Sequence, residues 1–338
     1  MLLGTICRIF FLFRSTLDCL LAPCRALRVH KGEPVKRVMV VLSCLALVGS
    51  GCAKKGTGAT GADSPKPAGA TPPRLAVTGT EYDFGIPAEI EGGVVNLDFQ
   101  NTGKKKHEAI IVKVGSTAKD QVVKDITALV KGEGAPTPDY LDIYGGAAEV
   151  AAGSSKSVDV KLAKGSYALV CTLSDNDSLD DPSKGPENAP LHLAQGMYKP
   201  FTVTSENAAT MPAEEGTVVA KDYSFELPAL AAGTHTLVFR NEGKQPHFAS
   251  ISEFPEGVTE QQARAAFQAA LTSEQGPPPG TPEPVDIGFA GPLSADGEQT
   301  FDLDLKGGRT YVVVCFMSDR AGGPPHAIGQ NMITFFTT

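Results

Sequence analysis

The chain has 338 residues, enough for two domains of ordinary size, and its 42 % hydrophobic residues can supply a core. Thirty-six glycines, 25 prolines and no tryptophan favour turns and strands over long helices. The formal charge is −8; residues 1–51 hold seven basic and two acidic residues, so the remainder has 23 basic and 36 acidic ones, a balance of −13 that argues against nucleic acid and anionic lipid surfaces as partners.

At the N-terminus, Lys36-Arg37 precedes an eleven-residue apolar run, Val38–Val48, followed by Gly49-Ser50-Gly51-Cys52. A charged start, an apolar centre and a small-residue exit describe a secretory signal. Ending in Cys, it resembles a bacterial lipoprotein signal, although Gly49 stands where that pattern usually has an aliphatic residue. The resemblance implies cleavage before Cys52, lipidation of Cys52, and export to the cell envelope on its periplasmic or outer face. The competing reading is an uncleaved membrane anchor, for which the run is short. Residues 1–34 read as an over-extended gene model with the true start at Val35, because Arg8, Arg14 and Asp18 break their apolar part. Residues 52–75 are rich in Lys, Gly, Ala, Thr and Pro and read as a flexible tether.

Beyond the tether the chain repeats itself. Tyr82-Asp-Phe84 matches Tyr223-Ser-Phe225; Phe99, Asn101, Gly103 and His107 match Phe239, Asn241, Gly243 and His247; Tyr167, Cys171, Ser174 and Asp175 match Tyr311, Cys315, Ser318 and Asp319. The offsets stay between 140 and 144. Ordered matches at a nearly fixed offset indicate two copies of one unit. They predict domains over 76–205 and 213–338, joined by Ser205–Pro212.

In chain order, the first copy predicts strands over Val94–Phe99 and Ala109–Val114, flanking an Asn-Thr-Gly turn. A helix is expected over about Thr117–Val130. Alternation then predicts strands at Ser157–Leu162 and at Tyr167–Cys171, with Tyr167, Leu169 and Cys171 on one face. The second copy predicts a helix over about Thr259–Leu271, opened by the capping-box spacing Thr259-Glu-Gln-Gln262. Short strands, many turn residues and one small helix per copy describe an all-β protein built of two β-sandwiches.

The soft donors fall at matched positions. Of six histidines, His107, His192, His247 and His326 occupy equivalent places; His30 lies in the leader, and His235 reads as a surface strand residue. Behind the signal, only Cys52, Cys171 and Cys315 remain. One thiol per copy excludes a disulfide within either copy, which is unusual for an exported protein. An unpaired thiol there needs burial or a metal to escape oxidation.

The order His107, Cys171, His192, Met197, and again His247, Cys315, His326, Met332, resembles the cupredoxin family of type 1 blue copper proteins. The resemblance covers nearly all of each copy. It implies tandem Greek-key sandwiches, each holding copper by two imidazoles and a thiolate with a weak axial thioether. It also implies one-electron transfer with a redox partner protein rather than catalysis. The paired His-x-His motifs that a multicopper oxidase's trinuclear centre would need are absent from the sequence. Where the family has only a few residues between Cys and the second His, this chain has twenty (Thr172–Leu191) and ten (Phe316–Pro325). The expectation is that these leave as loops and return, through turns at Asp180–Ser183 and Gly322–Pro325. His326 and Met332 are one residue further apart than His192 and Met197, so Gln330 is an alternative axial ligand in the second copy.

Taken singly, each of these residues has an ordinary packing role. Two readings compete with the electron carrier. One is a metal-free binding module that uses the loops Thr172–Leu191 and Gly276–Pro284 to contact a protein or glycan. The other is copper storage or delivery. Lys104–Lys106 reads either as a docking patch for an acidic partner or as a solvated turn.

Overall fold

The computed structural model describes residues 70–130, 135–175, 189–213, 215–273 and 277–338, all within one compact unit. The leader, the signal, Cys52, the tether up to residue 69 and the Asp180–Ser183 turn lie outside the described residues. The protein is mostly β, with three short helices among the described residues.

Strand β1 (Arg74–Thr80) begins inside the span expected to be tether. Its Leu75, Val77 and Gly79 face inward while the alternate residues face solvent, the period of two that a half-buried strand requires. A tight turn at Glu81-Tyr82 leads into β2 (Asp83–Gly85). Then follow β3 (Glu89–Asn101), β4 (His107–Lys113), α1 (Lys119–Val130), β5 (Asp142–Val150), β6 (Ser155–Leu162), β7 (Gly165–Val170) and β8 (Tyr198–Glu206). The second half has β9 (Thr217–Lys221), β10 (Ser224–Glu226), β11 (Gly233–Asn241), β12 (His247–Glu253), α2 (Glu260–Thr272), β13 (Val285–Leu293), β14 (Glu298–Leu305), β15 (Thr310–Val314), α3 (His326–Gly329) and β16 (Ile333–Thr337). Each element of the first half thus has a counterpart in the second. The one-turn α3, which no periodicity announced, is additional.

In the first half, β1 pairs with β2 and runs parallel to β3, and β3 pairs with β6. A second ladder runs β8-β7-β4-β5, and the start of β3 joins it beside β8. The second half repeats this as β10-β9-β11-β14 and β16-β15-β12-β13. Between the ladders of each half lies its own apolar core. Leu97, Phe99, Ile111, Tyr167, Leu169 and Cys171 fill the first; Phe239, Ile251, Tyr311, Val313 and Cys315 fill the second. The opposite face of β7, with Ala168 and Val170, packs under Val122 and Ile126 of α1. Val312 and Val314 of β15 likewise pack under Ala263, Ala266 and Phe267 of α2. Both faces of these strands are buried, which is why they read as continuous apolar runs. The strand that ends in Cys is thereby held from two sides.

The halves meet through equivalent strands. Strand β5 meets β13 at Tyr144 and Leu293, and β6 meets β14 at Val160 and Gln299, both antiparallel. Polar bonds stitch this seam. Ser294 N donates to Ile143 O at 2.7 Å, Ile143 N to Ser294 Oγ at 2.9 Å, and Gly146 N to Gln299 Oε1 at 3.0 Å. Lys161 and Glu298 form an ion pair across it at 2.7 Å.

Candidate metal centres

The first imidazole of each set is delivered by a turn that an asparagine staples. Asn101 is buried; its Nδ2 donates to Lys105 O at 2.7 Å and Val150 O at 2.8 Å, and its Oδ1 accepts from Gly103 N at 3.0 Å. Asn241 makes the same three bonds to Gln245 O, Leu293 O and Gly243 N at 2.7, 2.9 and 2.8 Å. An amide both donates and accepts, so one side chain satisfies the turn and fixes where His107 or His247 opens its strand.

Closure between Cys and the second His is the same in both halves despite the unequal loops. His192 N donates to Leu173 O at 2.7 Å and Leu193 N to Cys171 O at 2.8 Å. His326 N donates to Met317 O at 2.7 Å and Ala327 N to Cys315 O at 2.8 Å. The described ends of each loop are thus pinned side by side. Each Met is tied to the same point: Cys171 N donates to Met197 O and Cys315 N to Met332 O, both at 3.3 Å.

These connections bring all six in-plane candidates together as two clusters. The ligand atoms of His107, Cys171 and His192 lie within 4.8 Å of one another, as do those of His247, Cys315 and His326, and all six residues are buried. Cys171 Sγ is 3.9 Å from His107 Nδ1 and 3.4 Å from His192 Nδ1, and the two Nδ1 atoms are 3.1 Å apart. Cys315 Sγ is 3.7 Å from His247 Nδ1 and 3.6 Å from His326 Nδ1. Met197 and Met332 are fully buried in the same clusters as Cys171 and Cys315. Gln330, the alternative to Met332, is exposed at the end of α3. Met317 packs partly buried against the second cluster. His235 stands apart, its Nε2 2.9 Å from Ala231 O. Lys105 does not project freely: its Nζ pairs with Asp175 at 2.7 Å and reaches the Tyr82 hydroxyl at 2.7 Å.

The outer nitrogens face carboxylates. His192 Nε2 is 3.0 Å from Asp175 Oδ1, His326 Nε2 is 3.1 Å from Asp319 Oδ1, and His247 Nε2 is 3.3 Å from Asp222 Oδ1. His107 is the exception: Glu81 Oε1 stands 3.8 Å from its Nε2, within ion-pair reach but too far for a hydrogen bond, and that buried nitrogen has no hydrogen-bond partner. A proton held on Nε2 by a carboxylate leaves the Nδ1 lone pair free to bind a metal and fixes the ring's orientation. Tyr82 and Tyr223 complete this shell. Each donates its hydroxyl to the aspartate, Asp175 at 2.9 Å or Asp319 at 3.0 Å. Each also sets its ring edgewise on His192 or His326, at 5.2 and 5.3 Å between centroids. Both tyrosines have positive φ, 64° and 73°, a conformation that costs a non-glycine residue energy and tends to be held where surrounding contacts fix it. Sequence reasoning assigned no role to these tyrosines and carboxylates. The available signal was their recurrence in the repeat, at Tyr82/Tyr223 and Asp175/Asp319.

Burial sets the protonation states. It pushes His247 down to about 4, helped by repulsion from His326, and lowers His107 and His326 as well. These imidazoles are therefore neutral near pH 7, the form that ligates. Burial pushes the Cys315 thiol up to about 12, so only a bound cation would hold it as thiolate near neutrality. Backbone amides wait for that charge: Glu108 N points at Cys171 Sγ at 3.5 Å, and the Phe248 and Met317 amides face Cys315.

The residues fit copper. Three donors 3.1, 3.4 and 3.9 Å apart share a central point about 2 Å from each, close to a metal's bond length to imidazole and a little under that to thiolate. Two imidazoles, a thiolate and a thioether form the soft set that selects copper over harder cations.

The chain matches no family model and no curated protein. Among solved structures it is similar to auracyanin from the photosynthetic bacterium Roseiflexus castenholzii, with 21 % identity over 40 % of this chain and 99 % of that one and a TM-score of 0.26. It is similar to auracyanin A, a blue copper protein from Chloroflexus aurantiacus, with 18 % identity over 40 % of this chain and all of that one and a TM-score of 0.27. A multicopper oxidase is similar at 14 % identity over 78 % of this chain and 88 % of that one, with a TM-score of 0.20.

Proposed function

We propose that the chain is a copper-binding electron carrier made of two tandem cupredoxin domains, 76–205 and 213–338. His107, Cys171 and His192 would hold the first copper, with Met197 as a further thioether donor. His247, Cys315 and His326 would hold the second, with Met332 as its thioether donor. A lipid on Cys52 ties the protein to the cell envelope, where a redox partner protein exchanges electrons with it. The observation that carries this reading is the buried convergence of one thiol and two imidazoles, from residues far apart in sequence, in both halves.

Copper in such a set supplies a one-electron couple. The chain's own residues keep the rearrangement between its two states small. The ladders β4-β7 and β12-β15 join the strands next to His and Cys, Asp175, Asp222 and Asp319 fix ring orientation, and burial excludes water from the thiol.

Copper titration of the full chain tests the reading. It expects two copper ions per chain and an intense visible absorption from thiolate-to-Cu(II) charge transfer. Stoichiometric Cu(I) binding without that absorption would assign storage or delivery instead, and no stoichiometric copper would leave a metal-free binding module.

A further inference from the structure

The outer shells of the two centres are closed differently, and the difference runs through Arg320. This residue lies in the loop between Cys315 and His326, directly after Asp319, whose carboxylate holds His326 Nε2 and the Tyr223 hydroxyl. Its backbone N–H donates to Gln245 Oε1 at 2.8 Å. Gln245 belongs to the turn before His247, and its own N–H donates to Asp222 Oδ1 at 3.0 Å, the oxygen that faces His247 Nε2. Arg320 is therefore linked to both imidazoles of the second cluster, to one through Asp319 and to the other through Gln245 and Asp222.

The Nη1, Nη2 and carbonyl of Arg320 all bond to the first half. Its Nη1 pairs with Asp142 Oδ1 at 2.9 Å; its Nη2 donates to Pro138 O at 2.9 Å and Leu141 O at 3.1 Å; its carbonyl accepts from Thr137 N at 2.8 Å. The receiving segment is itself fixed, with Leu141 buried under α1 and the Tyr140 hydroxyl bonded to Asp125 at 2.7 Å. A planar guanidinium that meets a carboxylate and two carbonyls at once defines a position in a way that a single surface ion pair does not. The repeat places Asn176 where Arg320 stands, and Lys105 where Gln245 stands. Lys105 pairs with Asp175 of its own half.

We propose that Arg320 is a positioning residue for the second copper centre, through which the first half of the chain fixes the His326 loop. The proposal rests on the reading of His247, Cys315 and His326 as copper ligands. Its consequence is that the second centre depends on the first half for its geometry.

The test uses the full chain. Cys171→Ser leaves only the second centre visible. In that background Arg320→Ala should speed copper release to a chelator about tenfold and shift the Cu(II) electron paramagnetic resonance spectrum. Arg320→Lys, which keeps the charge but not the fork, should recover part of the loss. In a Cys315→Ser background, Arg320→Ala should leave the first centre unchanged. A second arm needs no copper: in the metal-free chain, Arg320→Ala should speed amide hydrogen exchange over 316–326 several-fold while 165–170 stays protected. Equal copper release and equal exchange in Arg320→Ala and the parent would overturn the proposal. Should the unsubstituted chain bind no copper, the copper reading fails and the exchange arm alone decides whether Arg320 fixes the loop. If Arg320→Ala does not fold, Asp142→Asn removes the same ion pair from the other side and is read the same way.

Discussion

The two clusters present the same donors, but their surroundings differ in charge and reach. Beside Cys171 stands Glu108, nearly buried, with Oε1 accepting the backbone N–H of Thr172 at 2.7 Å and the Thr172 hydroxyl as well. The matching position beside Cys315 is Phe248, whose ring packs on Phe289 at 5.2 Å between centroids. Behind the first imidazole, Glu81 spends its oxygen on the Lys104 and Lys105 amides and stays 3.8 Å from His107. The one-carbon-shorter Asp222 takes the matching amides, Lys244 at 2.8 Å and Gln245 at 3.0 Å, and still reaches His247 at 3.3 Å. The two halves share their His and Cys donors while the groups around them differ. If both clusters hold copper, as proposed, these differences would give them different affinities and potentials.

The largest expected effect separates the centres outright. Cys171→Ser should abolish the thiolate-to-Cu(II) absorption of the first half and leave that of the second, and Cys315→Ser the reverse. A hydroxyl is a hard, weakly acidic donor and does not replace a thiolate toward copper. Visible spectra of the two single variants and the double variant check this; loss of both bands from one substitution would mean that the centres are not independent.

A smaller effect tests the carboxylates behind the first imidazoles. Asp222→Ala should weaken copper binding in the second half by roughly 10- to 100-fold, the usual cost of removing a ligand's hydrogen-bonded partner. Glu81→Ala should cost the first half clearly less, because Glu81 holds a turn and not the imidazole. Competition titrations against a chelator, run in the opposite Cys→Ser background, give both numbers.

Glu108 gives the next effect. A carboxylate near the thiolate favours Cu(II) over Cu(I), so the first centre should have the lower potential. Glu108→Gln should raise it by on the order of 59 mV, a tenfold change in the one-electron couple, with little change in the second centre. Potentiometric titration of the separately visible centres measures the shift; a fall in potential would show that Glu108 acts through the Thr172 peptide and not through its charge.

Much of this was legible in the sequence because it is written twice. The Asn-x-Gly turn before each His, the apolar run ending in each Cys and the matched Ser-Asp pairs recur at offsets of 140 to 144, and the structure brings the two His and the Cys of each half together. The Tyr167, Leu169, Cys171 face is the one that lines the core. Strand β5 was not legible. Gly145 and Gly146 break its alternation with φ of 74° and 126°, its ladder with β4 is bulged twice, and a Cβ on Gly146 would meet Ala109 O at 2.1 Å. A strand built to let its neighbour's backbone approach carries no period of two. The short α3 was equally silent, since four residues cannot show a helical period. Nor could the seam be foreseen. Its bonds join residues roughly 140–150 apart, and the Arg320 contacts reach further still, so no local pattern records them.

The smallest expected effect asks whether the helix side of β15 is separable from its metal side. At the start of α2, Thr259 Oγ1 accepts from Gln262 N and Gln262 Oε1 accepts from Thr259 N at 3.0 Å, so two otherwise orphaned amides are satisfied reciprocally. Thr259→Ala should lower stability in urea by about 1 kcal/mol without changing the slope of the transition. The copper absorption should not move. Helix α2 packs on Val312 and Val314, whereas Cys315 and Met332 belong to the core on the opposite face. A spectral change in Thr259→Ala would mean that slack at the helix end is transmitted through Ala327, which packs in the α2 cluster, to the adjacent His326. The strand's two faces would then act as one support for the metal centre.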